Sequence, residues 1–119
     1  MGVPKPPEKA LLFTGTLFSD DRVYKWARKR LDELYGPVLF ESERLNWEHT
    51  DYYRDELGWP IYRRFIAFRR IIDPSEIVEI KLKTNHIEEE LSEGGKRRIN
   101  LDPGYITPSK LVLATTKNY

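Results

Sequence analysis

The chain has 119 residues, with 20 Lys and Arg against 19 Asp and Glu, for a formal net charge of +1. This balance excludes an overall electrostatic attraction to nucleic acids or anionic membranes, and the absence of Cys excludes disulfides, Cys-ligated zinc and a thiol nucleophile. The length suits one domain, and no apolar run approaches a membrane span, so we expect a cytoplasmic protein. Gln is absent and 33% of residues are charged, a composition typical of thermophile proteins.

The first part of the chain predicts a buried strand followed by a helix. Ala10–Phe18 is apolar and rich in β-formers, and Gly15 within it indicates a bulge or a close backbone approach. Ser19 is the predicted N-cap of the helix, and Gly36-Pro37 ends it. The apolar face of this helix is predicted to hold Val23, Trp26, Ala27, Leu31 and Leu34.

The middle of the chain predicts two further strands and a second helix. Val38–Leu45 is a short strand, Asn46–Pro60 is a loop with a short helical turn, and Ile61–Ile72 is a strand rich in arginine and aromatic residues. The second helix starts at Asp73, because Asp, Pro and Glu follow one another at the N-cap, N1 and N3 positions. Gly94-Gly95 is predicted to end it.

The last part predicts a short strand, Ile99–Leu101, and a turn at Asp102–Tyr105, while Thr107–Thr116 suits a helix or a strand equally. The resulting order, β-α-β-β-α-β, predicts an α+β fold of the ferredoxin-like type, with an antiparallel sheet and two helices on one face. We expect residues 1–9 to form a disordered leader and residues 10–119 a single α+β domain.

The well-known motifs for nucleotide binding and hydrolysis are absent. The chain has no GxxxxGK[ST], GxGxxG, GxSxG or HExxH sequence. His49 and His86 are the only histidines, which excludes a His-rich metal site. We therefore assign no metal ligand, while the cofactor is unknown and whether the protein is an enzyme stays open.

Two irregular segments concentrate polar and aromatic residues. Carboxylates, an imidazole and phenols lie close together in the sequence around Asp51. This composition suits three alternatives: a solvated loop, a ligand contact, or a metal-binding or catalytic site. Asn100 and Asp102 alternate at a strand end and either face one ligand or cap a turn. The candidate ligand-binding residues are Asp51, Tyr52, Tyr53, Asn100, Asp102, Tyr105 and Lys110.

Two other functions stay open at this point. One is a metal-dependent, hydrolase-type enzyme that uses the carboxylates of Asp51, Glu56 and Asp102. The other is an RNA or protein interaction module on the arginine-flanked aromatic strand Arg63–Arg70, although its match to RNA-recognition patterns is poor and we expect no nucleic acid partner. The alternative interpretation is structural: the aromatic residues of that strand lie in the core, and its arginines are solvated or ion-paired.

An ordered set of short motifs resembles a family of uncharacterised prokaryotic proteins known only as a domain of unknown function. The motifs are Thr50–Tyr53, Asp73-Pro74, Thr84-Asn85, Asn100–Tyr105 and Val112–Lys117. Some members of the family carry a "GTP-binding protein" label, which the residues here do not support, because phosphate-loop and base-reading motifs are absent. The resemblance implies that the chain is the N-terminal part of a longer one, truncated at its C-terminus.

The leading hypothesis from the sequence is a domain that binds a small polar or anionic ligand, with nucleotides among the candidates. The pocket is expected between the Asp51 loop and the Asn100–Tyr105 segment. Ligand identity and oligomeric state do not follow from the sequence.

Overall fold

The computed structural model describes residues 9–47, 53–108 and 111–114, and the predicted leader lies outside them except for Lys9. The chain is α+β, as predicted. Its elements in order are β1 (Ala10–Phe18), α1 (Asp21–Tyr35), β2 (Val38–Glu41), β3 (Leu45–Asn46), α2 (Arg54–Leu57), β4 (Tyr62–Ile72), α3 (Ile77–Glu90), β5 (Ile99–Ile106) and β6 (Leu111–Leu113).

The strands form one antiparallel sheet in the order β2-β4-β1-β5-β6, and the short strand β3 also pairs with β4. Strand β1 is therefore central, with β4 on one side and β5 on the other. The segment Thr107–Thr116, which suits a helix or a strand by sequence, forms the strand β6 at Leu111–Leu113.

The main core lies between one face of the sheet and the two long helices. Helices α1 and α3 contribute to the same buried cluster as β1, β4 and β5. Strand residues that alternate toward the helices are buried there, because successive side chains in a strand point to opposite faces. The fully buried members from the sheet include Leu12, Phe18, Ile66, Phe68, Ile99 and Leu101.

Helix α1 differs from its prediction in its cap and its buried face. Asp20, and not Ser19, is the N-cap, and its carboxylate accepts a hydrogen bond from the Arg22 backbone N–H at 2.8 Å. Trp26 is 68% exposed and Leu34 38% exposed. The helix is rotated so that tyrosines replace them against the sheet: the buried residues are Tyr24, Ala27, Leu31 and Tyr35.

The start of the second helix is confirmed, but its end is not. Asp73 and Glu76 form the predicted capping box around a single 3₁₀ turn, Pro74–Glu76, which leads into α3. The helix ends at Glu90, before the predicted stop at Gly94-Gly95. Both glycines have positive φ and form a tight turn instead, closed by an isolated bridge between Glu93 and Lys96.

The predicted turn at Asp102–Tyr105 is wrong, because these residues continue β5 in full register with β1. Pro103 is tolerated there because the backbone groups of residues 101, 103 and 105 point to the outer edge of β5 and not toward β1. At that edge the Pro103 carbonyl accepts a hydrogen bond from the Ala114 N–H at 2.9 Å, where β6 ends.

The predicted strand Val38–Leu45 is two strands, β2 and β3, which pair with β4 one after the other. The break falls at Ser42–Arg44, where the Ser42 hydroxyl accepts a hydrogen bond from the Phe65 N–H. The short helical turn predicted in the following loop is α2.

Two leucines of α1 test which face of the helix is buried. We expect Leu31→Ala to lower the free energy of unfolding by about 2–5 kcal/mol, because Leu31 is 1% exposed in the core. The matched change Leu34→Ala is expected to cost about 0.5 kcal/mol or less. Urea unfolding of both variants measures this, and equal losses would contradict the observed orientation of α1.

Candidate functional site

The candidate site lies on the sheet face that α1 and α3 do not cover. Gly15 in β1 stands between Phe65 in β4 and Asp102 in β5, and the next row joins Arg63, Leu17 and Asn100. Paired residues of neighbouring strands share a face, so these side chains lie together. One end of this face is closed by a small apolar cluster of Leu17, Leu57 and Ile61, with Trp47 and Tyr53 packed against it.

A chain of polar contacts runs across this face from α2 to β5. Arg97 donates to the Glu56 carboxylate at 2.6 and 3.0 Å and to Asn100 Oδ1 at 2.7 Å. Asn100 Nδ2 in turn donates to Asp102 Oδ2 at 2.8 Å. Asn100 and Asp102 therefore bond to side chains, and the alternative that they cap a turn does not hold. Arg97 fixes the Asn100 amide, which in turn orients the Asp102 carboxylate.

Helix α3 closes the outer edge of β5 next to this chain of contacts. Among the described residues, β6 pairs with residues 104–106 and not with Leu101. The Leu101 N–H donates to Glu88 Oε2 at 2.6 Å, and its carbonyl accepts from Lys81 Nζ at 2.8 Å. These two side chains, 4% and 7% exposed, satisfy backbone groups that would otherwise be buried without partners.

The same two side chains belong to the polar network. Lys81 Nζ lies 3.9 Å from Asp102 Oδ1, and Arg97 Nη1 lies 3.6 Å from Glu88 Oε1. Burial raises the pKa of the Glu88 carboxyl above its ordinary value, against the Leu101 N–H and the neighbouring cations, which lower it. The pKa of Arg97 is raised, because Glu56 and Glu88 outweigh the effect of burial.

Arg63 is held on this face by rings and not by hydrogen bonds. Its guanidinium carbon lies 4.7 Å from the centre of the Trp47 ring and 5.4 Å from that of Phe65. A side-chain carbon built on Gly15 would lie 2.7 Å from Arg63 Nη1, so the guanidinium occupies the space that the glycine leaves. Within the described part of the chain, the buried Nε of Arg63 has no hydrogen-bond partner, and burial lowers the pKa of this group.

The structure brings together only part of the predicted site. Asn100 and Asp102 share a face and a hydrogen bond, and the Tyr53 phenol is close enough to Arg63 and Arg97 to influence the pKa of both. Tyr105 lies on the other face, packed against the main core, because its odd position in β5 follows Leu101 and not Asp102. The predicted residues outside the described ranges are Asp51, Tyr52 and Lys110.

Sequence reasoning missed Lys81 and Glu88 as parts of this site. Both lie on the helix face that carries Ile80, Thr84 and Ile87, so their register in α3 was a usable signal. Arg97 pairs with Glu88 of α3. Its bonds to Glu56 and Asn100 depend on tertiary placement and left no pattern in the sequence.

The arginines and aromatics of β4 divide between the two faces of the sheet. Phe68 is in the main core, and Arg64 lies over the Tyr24 ring and pairs with Glu41 on the helix side. Arg70 donates to the Tyr35 carbonyl. Arg64 and Phe68 therefore lie on the helix side, while Arg63 and Phe65 lie together on the open face of the sheet.

The carboxylates of the enzyme hypothesis are tied into ion pairs where they are described. Glu56 pairs with Arg97, and Asp102 lies near Lys81. In the residues that the structure describes, no group of three or more His, Cys, Asp or Glu side chains is placed to hold a metal ion.

Two clefts of about 450 and 410 Å³ are not lined by Arg63, Asn100 or Asp102, and Glu56 contributes to the wall of the second. Both are lined by Asp20, Glu93 and Arg98, and Arg98 forms ion pairs with the other two. Their shared wall therefore carries paired charges, unlike the sheet face around Arg63.

Comparison with known proteins places the chain beside one family. The model of a family described as "Domain of unknown function (DUF4416)" matches residues 8–119. No curated protein and no solved structure matches the chain. No helix among the described residues is long and apolar enough to cross a membrane.

The buried carboxyl of Glu88 predicts a pH dependence of stability. Its pKa is raised on folding above the ordinary value of 4.5, so the folded state binds this proton more tightly than the unfolded state does. The contribution of Glu88 to the free energy of unfolding is therefore largest below that value and falls as the pH rises through the folded pKa. Urea unfolding of the wild type and of Glu88→Gln between pH 4 and pH 8 gives the difference between their free energies of unfolding. We expect this difference to fall as the pH rises.

The groups common to both proteins cancel in this difference. Asp20 and Asp73, whose pKa values are lowered in the folded state, act in the opposite direction but equally in the two proteins. A difference that rises with pH, or that does not change, would contradict the assignment of Glu88 as a desolvated carboxyl.

Proposed function

The chain belongs to the DUF4416 family, which assigns it no activity, and we propose from its own residues that it binds a small anionic ligand on the sheet face around Arg63. The proposed contacts from the described residues are Arg63, Tyr53, Asn100 and Asp102. Asp51, Tyr52 and Lys110 stay in the proposal on sequence grounds, and Tyr105 is the weakest member because it packs on the opposite face.

The observation that carries this proposal is the unused hydrogen-bonding capacity of Arg63. A guanidinium is always charged at ordinary pH and presents several N–H donors in a planar fork suited to carboxylate and phosphate groups. Arg97, the other arginine with contacts on this face, donates to Glu56 and Asn100. Arg63 lies against aromatic rings, and its buried Nε has no hydrogen-bond partner among the described residues.

The surroundings of Arg63 favour binding of a small group. The Gly15 backbone forms the floor, since any side chain there would displace the guanidinium. The ring of Trp47 and the apolar cluster behind Leu17 limit the access of water from one side. Low exposure to water strengthens a charge-assisted hydrogen bond, so a single arginine is enough to hold a small anion here.

We further propose that the fold is ferredoxin-like, with β6 added at one edge, and that the protein is cytoplasmic. What supports the fold is the strand order β2-β4-β1-β5, which places the first strand at the centre and α1 and α3 together over one face. In this arrangement the opposite sheet face is left for a ligand or a covering segment.

The test is a thermal-shift screen with nucleotides, sugar phosphates and small carboxylates. A ligand at about 100 times its dissociation constant adds roughly 2.7 kcal/mol, which raises the melting temperature on the order of 10 °C for a domain of this size. We expect Arg63→Gln to weaken binding of the active compound at least about tenfold, because a hydrogen bond to a charged group is lost. Without ligand this variant is expected to melt near the wild type, since the buried Nε contributes no hydrogen bond.

The matched control is Arg69→Gln, the same change at an exposed arginine of the same strand. It is expected to leave both the melting temperature and the ligand shift unchanged. Equal loss of binding in the two variants, or full binding in Arg63→Gln, would refute the assignment of Arg63, and no shift with any anion would refute the function.

A further inference from the structure

Arg63 and Asp102 stand as opposite charges on the two sides of Gly15 without forming an ion pair. The guanidinium of Arg63 lies over Gly15, and Asp102 is the residue directly paired with Gly15 in the next strand. The charge of Asp102 acts on Arg63, yet its ion-pair contact is with Lys81 at 3.9 Å. Two opposite charges that lie on the same sheet face without forming an ion pair can both contact one ligand.

Asp102 has acceptor capacity to spare on the atom that faces away from Asn100. Its Oδ2 accepts the hydrogen bond from Asn100, while the contact of Oδ1 among the described residues is the one with Lys81 at 3.9 Å, which exceeds hydrogen-bond distance. A carboxylate oxygen offers two lone pairs, and the Asp102 side chain is 27% exposed. An incoming donor can therefore reach Oδ1 without breaking an existing bond.

We propose that the ligand of this site is a hydroxylated anion, whose anionic group binds Arg63 and whose neighbouring hydroxyl donates to Asp102. The inference rests on the anion-binding function proposed above and deepens it. A plain anion would bring its charge close to the Asp102 carboxylate with no compensating contact. A hydroxyl near the anionic group donates a hydrogen bond to the Asp102 carboxylate, and this bond compensates the repulsion between the two negative charges.

Hydroxycarboxylates and sugar phosphates share this chemistry, and matched pairs of compounds distinguish them. Succinate and malate differ by one hydroxyl on a dicarboxylate, and propyl phosphate and glycerol 3-phosphate differ only in hydroxyls on a phosphate ester. Isothermal titration of the wild-type chain with all four compounds measures the preference. We expect the hydroxylated member of one pair to bind about tenfold more tightly than its partner, as one hydrogen bond to a charged group provides.

Two substitutions locate the hydroxyl. Asp102→Ala is expected to abolish the preference within the pair while the unhydroxylated anion still binds through Arg63. Asp32→Asn, at an exposed carboxylate of α1, is the control and is expected to keep the preference. Circular dichroism and melting of each variant establish that it is folded, and the wild-type comparison decides the inference even if Asp102→Ala does not fold.

The outcomes separate this inference from the function beneath it. Equal affinities within both pairs in the wild type would overturn the hydroxyl preference and leave anion binding standing. A preference that survives in folded Asp102→Ala would overturn the role of Asp102. No binding of any of the four compounds would overturn the inference together with the proposed function.

Discussion

The outer edge of β5 at Leu101 is the point on which the site depends. A neighbouring strand would pair with the Leu101 backbone, but among the described residues β6 pairs with residues 104–106 and does not reach Leu101. Helix α3 supplies Glu88 and Lys81 in its place, and the two side chains bond the N–H and the carbonyl of the same residue. Because a buried backbone group without a partner costs about 1–3 kcal/mol, these contacts fix both the register of α3 against β5 and the end of the sheet.

From this edge the polar network extends to the open face of the sheet. Glu88 is close to Arg97, and Lys81 is close to Asp102, so the side chains that support the backbone also lie beside the carboxylate of the proposed site. Every charged group in this chain of contacts has an opposite charge or a hydrogen bond nearby. Arg63 is different, because aromatic rings and the Gly15 floor hold it while its buried Nε has no hydrogen-bond partner in the described part of the chain. Pre-organised anion binding requires neighbouring polar groups that are held by their own hydrogen bonds and one cation that is still able to bind the anion.

Local patterns in the sequence predicted most of the elements, because their signals are short-range. The capping residues at Asp73 and the stop at Gly36-Pro37 act within one helical turn, and both predictions are confirmed. The prediction of the buried face of α1 was wrong because Tyr24 and Tyr35 are amphipathic. Only the tertiary fold decides whether these tyrosines or Trp26 pack against the sheet.

The site was harder to predict than the elements, because it depends on which strand edge is left unpaired. Asp102-Pro103-Gly104 has the residues of a turn, and it forms a strand because the missing N–H of Pro103 falls at the outer edge of β5. Once that segment is a strand, alternation separates Tyr105 from Asp102, which no turn prediction could reveal. Asn100 and Asp102 share one side, as the sequence indicated, because alternation applies to them in the same way.

The central claim is that Arg63 is the cation left open for an anionic ligand, and side-chain NMR tests it most directly. The ¹H–¹⁵N signals of the Arg63 and Arg97 Nε–H groups are followed while glycerol 3-phosphate or malate is added to the wild-type chain. The account predicts that the Arg63 signal moves with saturation and that the Arg97 signal, already bonded to Glu56, moves far less. A ligand that saturates the protein while the Arg63 signal stays in place would contradict the account.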